Sequence, residues 1–112
     1  MVADWTQIDI EHIYPEAAQP PAWIIDEEMK ARHHSFENLT LWWYPNNRAA
    51  GTKSFDDKKD SVNAEGQPVG YKYSDIAVTK DLCSYNTWGP AEMNQRHQKL
   101  VDFAVRVFVM KP

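Results

Sequence analysis

The chain has 112 residues, 43% of them hydrophobic and 25% charged, with a net charge of −4. That length supports one domain with a modest core, and the acidic balance excludes a module that grips nucleic acid by bulk electrostatics alone. The single cysteine, Cys83, excludes an internal disulfide and a cysteine-built zinc site, and no signal-peptide pattern or apolar run of transmembrane length is visible; a cytoplasmic protein with no membrane partner is the expectation.

Residues 5–14 read as a strand, with Ile8, Ile10 and Ile13 alternating with polar residues. Pro20 and Pro21 break the chain, and residues 21–34 read as a helix with acids early and a basic end at Lys30 to His34. The stretch "FENLTLWWY" is rich in β-formers and predicts a second strand, stopped by Pro45. "NNRAAGTKS" reads as a short helical turn or loop, and Ser54 is a natural N-cap for a short helix in "SFDDKKDS". Residues 61–72 read as a surface loop, and Thr79 as the start of another short helix. The last helix is opened by Gly89 and Pro90, with Met93, Leu100, Ala104 and Phe108 on one stripe.

The chemistry gathers around the first strand's end, where Asp9, Glu11 and His12 precede Pro15. Hydrolysing a phosphodiester needs a base to activate water and a cation to neutralise charge on the phosphate. Histidine is the natural base near neutral pH. A hard ion such as Mg²⁺ takes a carboxylate, an amide oxygen and waters. Glu11 and Asn47 offer those oxygens, Asp9 is the alternative carboxylate, and Asn46 is Asn47's neighbour in register. Asn38 is a candidate to orient the His12 imidazole.

The segments "EHIYP" and "ENLTLWWYPNN" resemble the two halves of the His-Me finger (HNH-type) nuclease motif, an acid–His pair with a following Pro, then Asn-Leu-x-Leu with an Asn nine positions on. Together with "NNRAAGTKSFDDKKD" and "TKDLCSYNTWGPAEMNQRHQKLVDFA" they are similar to the C-terminal nuclease domain of GmrSD-type modification-dependent restriction enzymes and of SspE-like phage-defence proteins. The matching positions are His12, Pro15, Asn38, Leu39, Thr40, Asn47, Ser54, Phe55, Lys58, Lys59, Trp88 and Arg96, spread over residues 9 to about 108. Glu37 departs from the family's usual Gly. The resemblance implies an α+β fold with a ββα-metal core and additional helices. It implies a metal-dependent DNA endonuclease in anti-phage restriction, with His12 and Asn38 catalytic, Asp9, Glu11 and Asn47 around Mg²⁺ or Mn²⁺, and DNA as partner. A non-catalytic binding module and an RNA-directed nuclease are the alternatives.

Arg48, Lys53, Lys58 and Lys59 form a compact basic cluster suited to DNA phosphates, and equally to a solvated helix face paired with Asp56, Asp57 and Asp60. His33 and His34 read as decoration of a helix end, with a metal role as the alternative, and Trp23, Trp42, Trp43 and Trp88 as core or domain contacts. The abrupt start "MVADW" predicts that residues 1–112 are an excised C-terminal domain, with recognition of modified DNA assigned to a missing N-terminal domain or partner subunit.

Overall fold

The computed structural model describes residues 5–108, apart from the side chains of Trp5, Tyr44, Arg48, Ala49 and Phe108. The opening four residues lie outside it. In order, the elements are β1 (Ile8–His12), α1 (Glu27–Ala31), β2 (Leu39–Trp43), α2 (Tyr44–Ala50), α3 (Phe55–Lys59), α4 (Ala77–Lys80) and α5 (Pro90–Phe108), with short 3₁₀ turns at Trp5–Gln7, Phe36–Asn38, Tyr71–Tyr73 and Asp81–Ser84. The fold is thus a mixed α/β one, a two-stranded sheet with several helices. No helix among the described residues is long and apolar enough to cross a membrane.

The two strands pair antiparallel, His12 opposite Leu39 and Ile8 opposite Trp43. Their alternation places Asp9, Glu11, Thr40 and Trp42 on one face and Ile8, Ile10, His12, Leu39 and Leu41 on the other. The inward face is the polar one: Glu11, Thr40 and Trp42 are buried, whereas Ile10 is 55% exposed and Leu41 41%. Outward-facing Ile10 and Leu41 line an apolar groove of about 450 Å³ with Val78, Leu100, Val101 and Ala104. Thr40 is satisfied inside by the Thr79 hydroxyl at 2.7 Å.

β2 runs without a break into α2, whose first turn accepts Pro45 because its missing N–H has no helical partner there. Gly51 ends α2 with a positive φ of 49°, its N–H donating to the Asn47 carbonyl. Ser54 caps α3 as expected, its Oγ accepting from the Asp57 N–H at 3.2 Å.

The expected helix over residues 21–34 forms only as α1, with Asp26 as its N-cap. The residues before it are held elsewhere. The Trp23 indole donates to the Lys53 carbonyl and the Tyr14 hydroxyl to the Ile24 carbonyl. Ile24 and Ile25 are exposed, so a helix there would bury no apolar face. The first strand is likewise shorter than residues 5–14. The fourth short helix begins at Ala77, before Thr79, whose hydroxyl turns instead to the Leu41 carbonyl.

The core is aromatic: Tyr14, Trp23, Trp42, Phe55, Tyr71, Tyr85 and Trp88, with Ile13, Met29, Leu82 and Met93. Ring pairs Trp42–Tyr71 at 4.6 Å and Tyr85–Trp88 at 5.4 Å tie the sheet and the irregular middle of the chain together. Burial of each such side chain is worth roughly 2–3 kcal/mol. A few large rings thus substitute for the many aliphatic residues a bigger domain would use.

The chain packs backbone to backbone at Gly70. A Cβ there would sit 2.2 Å from the Lys59 carbonyl oxygen and 2.7 Å from the Asp60 Cα. Gly70→Ala is therefore expected to destabilise the fold by about 1–3 kcal/mol, as overpacking does. Urea denaturation of the variant measures it, and a midpoint equal to the wild type would contradict this packing.

Candidate functional site

His12 ends β1 on the outward face and is half-buried. Its carbonyl and the two residues after it are held by two buried side chains. Lys58, fully buried on α3, donates to the carbonyls of His12 (3.0 Å) and Ile13 (3.1 Å) and to Glu11 Oε2 (3.0 Å). All three ammonium protons are thereby used. Glu11 Oε2 also accepts from the Tyr71 hydroxyl at 2.7 Å. Burial pushes the Glu11 carboxyl up and the Lys58 ammonium down, while their mutual attraction opposes both shifts. Burial also raises the Tyr71 phenol well above its ordinary value, so it remains a hydrogen-bond donor.

Asn38 supplies the second clamp. Its side chain is fully buried, and both amide atoms are occupied. Oδ1 accepts from the Tyr14 N–H (2.9 Å) and the Trp88 indole (3.0 Å), while Nδ2 donates to the carbonyls of Tyr14 (3.0 Å) and His33 (2.9 Å). Its own carbonyl accepts from the Ile13 N–H at 2.9 Å. Buried Arg96 fixes the flanking chain by donating to the carbonyls of Glu37 and Leu39. Glu37, where a Gly was expected, is buried between Arg32 (3.1 Å) and His97 (3.2 Å). Burial pushes its carboxyl up, but the hydrogen bonds from His97 and Arg32 outweigh this and leave it below its ordinary value.

The turn after α1 carries two more imidazoles to His12. His12 Nε2 lies 3.1 Å from His34 Nδ1, and one nitrogen from each of His12, His33 and His34 falls within 4.8 Å of the others. Burial, then the neighbouring His33 and His34, hold the His12 imidazole below its ordinary value.

Several expected roles are corrected by this geometry. Asn38 does not bond the His12 imidazole, because all its amide capacity goes to Tyr14, Trp88 and His33; it positions the ring through the backbone. Glu11 is no free metal ligand, because its carboxylate is buried against Lys58 and Tyr71. Lys58 is sealed from DNA, and Lys59 is spent on the Tyr85 carbonyl (3.0 Å) and Asp56 (3.3 Å). Of the basic cluster Lys53 is exposed, and the Arg48 side chain lies outside the described ones. Asp9 and Asn47 do meet: Asn47 Nδ2 donates to Asp9 Oδ2 at 2.9 Å and to the Ile10 carbonyl at 3.1 Å. They meet on the inward face, however, three residues or about 10 Å of strand from His12, which faces outward. The oxygen set expected for Mg²⁺ therefore does not assemble as one group beside His12.

Sequence reasoning passed over Lys58 as a clamp and His33 and His34 as neighbours of His12. Phe55 and Lys58, three apart, share the buried side of α3, which spacing alone does not show because Lys59 stands at the equivalent i+4 position. The placement of the two histidines depends on where α1 stops.

The site is thus a two-stranded antiparallel hairpin running into a helix, with His12 at the end of the first strand. The family model for the C-terminal domain of GmrSD restriction endonucleases matches residues 2–103, and the chain belongs to that family. It is a restriction-endonuclease nuclease domain by membership. No curated protein matches the chain.

The buried pair yields a stability prediction. Lys58→Met strands a buried carboxylate and frees two buried carbonyls, and is expected to cost about 3–5 kcal/mol. Adding Glu11→Leu should recover part of that loss. Chemical denaturation of the two variants checks the order, and a double variant less stable than Lys58→Met would contradict the pairing.

Proposed function

We propose that this domain is the cutting part of an anti-phage restriction system, an HNH-type endonuclease that hydrolyses DNA phosphodiester bonds with His12 as general base. The observation that carries the reading is a half-exposed imidazole at a strand end, with the main chain from His12 to Tyr14 held by Lys58 and Asn38. A base must be held still and unprotonated to take a proton from water as it attacks phosphorus.

In this reading His12 accepts the water proton while the 3′ oxygen leaves. His34 Nδ1 lies 3.1 Å from His12 Nε2, and the two rings share one proton between those nitrogens. Lys58 and Asn38 are positioning residues, acting on the main chain from His12 to Tyr14. A divalent ion such as Mg²⁺ or Mn²⁺ supplies charge neutralisation at the phosphate in nucleases of this class. The Glu11, Asp9 and Asn47 set does not fit such an ion beside His12, so no step is assigned to it. DNA recognition is assigned to another domain or subunit, in keeping with the net charge of −4.

Nicking of supercoiled plasmid, with Mg²⁺ and with Mn²⁺, tests the proposal. His12→Ala is expected to lower the rate about 100-fold or more, the usual loss on removing a general base, with an unchanged circular dichroism spectrum. A folded His12→Ala variant as fast as the wild type would refute the assignment.

A further inference from the structure

We infer that His12, His33 and His34 form a binding site for one borderline divalent transition ion, Zn²⁺ being the natural occupant, separate from the Asp9–Asn47 pair. One nitrogen of each imidazole lies within 4.8 Å of the other two, the one such group of His, Cys, Asp and Glu among the described residues. Two nitrogens each about 2.1 Å from a tetrahedral ion lie about 3.4 Å apart. The 3.1 Å between His12 Nε2 and His34 Nδ1 is already close to that separation. The ring of His33, whose centroid lies 3.8 Å from that of His34, has to turn for its nitrogen to complete the set.

The surroundings of His33 match those of a ligand. Its Nδ1 lies 3.3 Å from the Lys30 carbonyl, which can only accept, so Nδ1 carries the proton and Nε2 the lone pair. Nε2 is buried and has no hydrogen-bond partner. A buried nitrogen with a free lone pair is costly unless something takes it up. Asn38 Nδ2 grips the His33 carbonyl and the Tyr14 carbonyl together, so a single amide fixes the separation between the turn bearing His33 and the strand end bearing His12. Three imidazoles select Zn²⁺, Co²⁺ or Ni²⁺ over Mg²⁺, which prefers oxygen.

The site has a consequence that rests on the nuclease reading. An ion bound to His12 takes the lone pair that would accept the proton from water, so Zn²⁺ is expected to slow cleavage.

Binding is tested without cleavage. The full chain is titrated with Co²⁺ and followed by visible absorption, and the affinity for Zn²⁺ is measured by competition with a chromophoric chelator. The expected result is one Co²⁺ per chain with ligand-field bands, and an affinity for Zn²⁺ lowered at least tenfold by His33→Ala and by His34→Ala but unaffected by Asp9→Ala. Circular dichroism establishes that each variant is folded. Equal affinity in the wild type and a folded His33→Ala variant, or loss through Asp9→Ala instead, overturns the site. A chain that binds Zn²⁺ through His33 and never nicks DNA refutes the nuclease reading alone; one that nicks DNA and shows no His33-dependent binding refutes this inference alone.

Discussion

A single buried ammonium organises the region where His12 sits. Lys58 reaches from α3 into the interior and spends its three protons on Glu11 and on the carbonyls of His12 and Ile13. Desolvating such a charge costs several kcal/mol, and only a complete set of partners offsets it. The pair is therefore a weak contributor to net stability and a strong constraint on geometry. If the end of β1 shifts, two carbonyls and a carboxylate lose their partner at once.

Asn38 imposes the matching constraint from the other side. Its amide joins Tyr14, Trp88 and the His33 carbonyl, while Arg96 holds the peptide groups flanking it. The imidazole of His12 is thus aimed by its own main chain, with no side chain of the second strand bonded to it. The same amide brings His33 beside His12, so the arrangement that fixes the chain at the end of β1 also gathers three imidazoles.

Local signals carried much of this in the sequence. The strand pattern, the Ser54 cap and the Gly89–Pro90 start of α5 were legible because each depends on neighbours in the chain. Family spacing singled out His12, Asn38 and Asn47, but it did not show that the Asn38 amide goes to Tyr14, Trp88 and His33 and that Asn47 goes to Asp9. What failed depends on distant residues. The helix expected over residues 21–34 yields to Trp23 and Ile24 bonding far along the chain. The sheet turns its isoleucines outward because Glu11 finds Lys58 and Tyr71 inside, and composition alone favours the reverse. Lys58 looked like a phosphate contact because its charge is visible in the sequence and its burial is not.

Under the proposed function, DNA recognition is left to another domain or subunit, because a domain of net charge −4 offers phosphates little bulk attraction. The central claim is that Lys58 sets the position of His12 from within. The most direct measurement is the plasmid-nicking rate of Lys58→Met, taken well below its unfolding temperature with folding verified by circular dichroism. The account predicts a fall in kcat comparable to that of His12→Ala, with KM little changed. A folded Lys58→Met protein that cuts at the wild-type rate would contradict it.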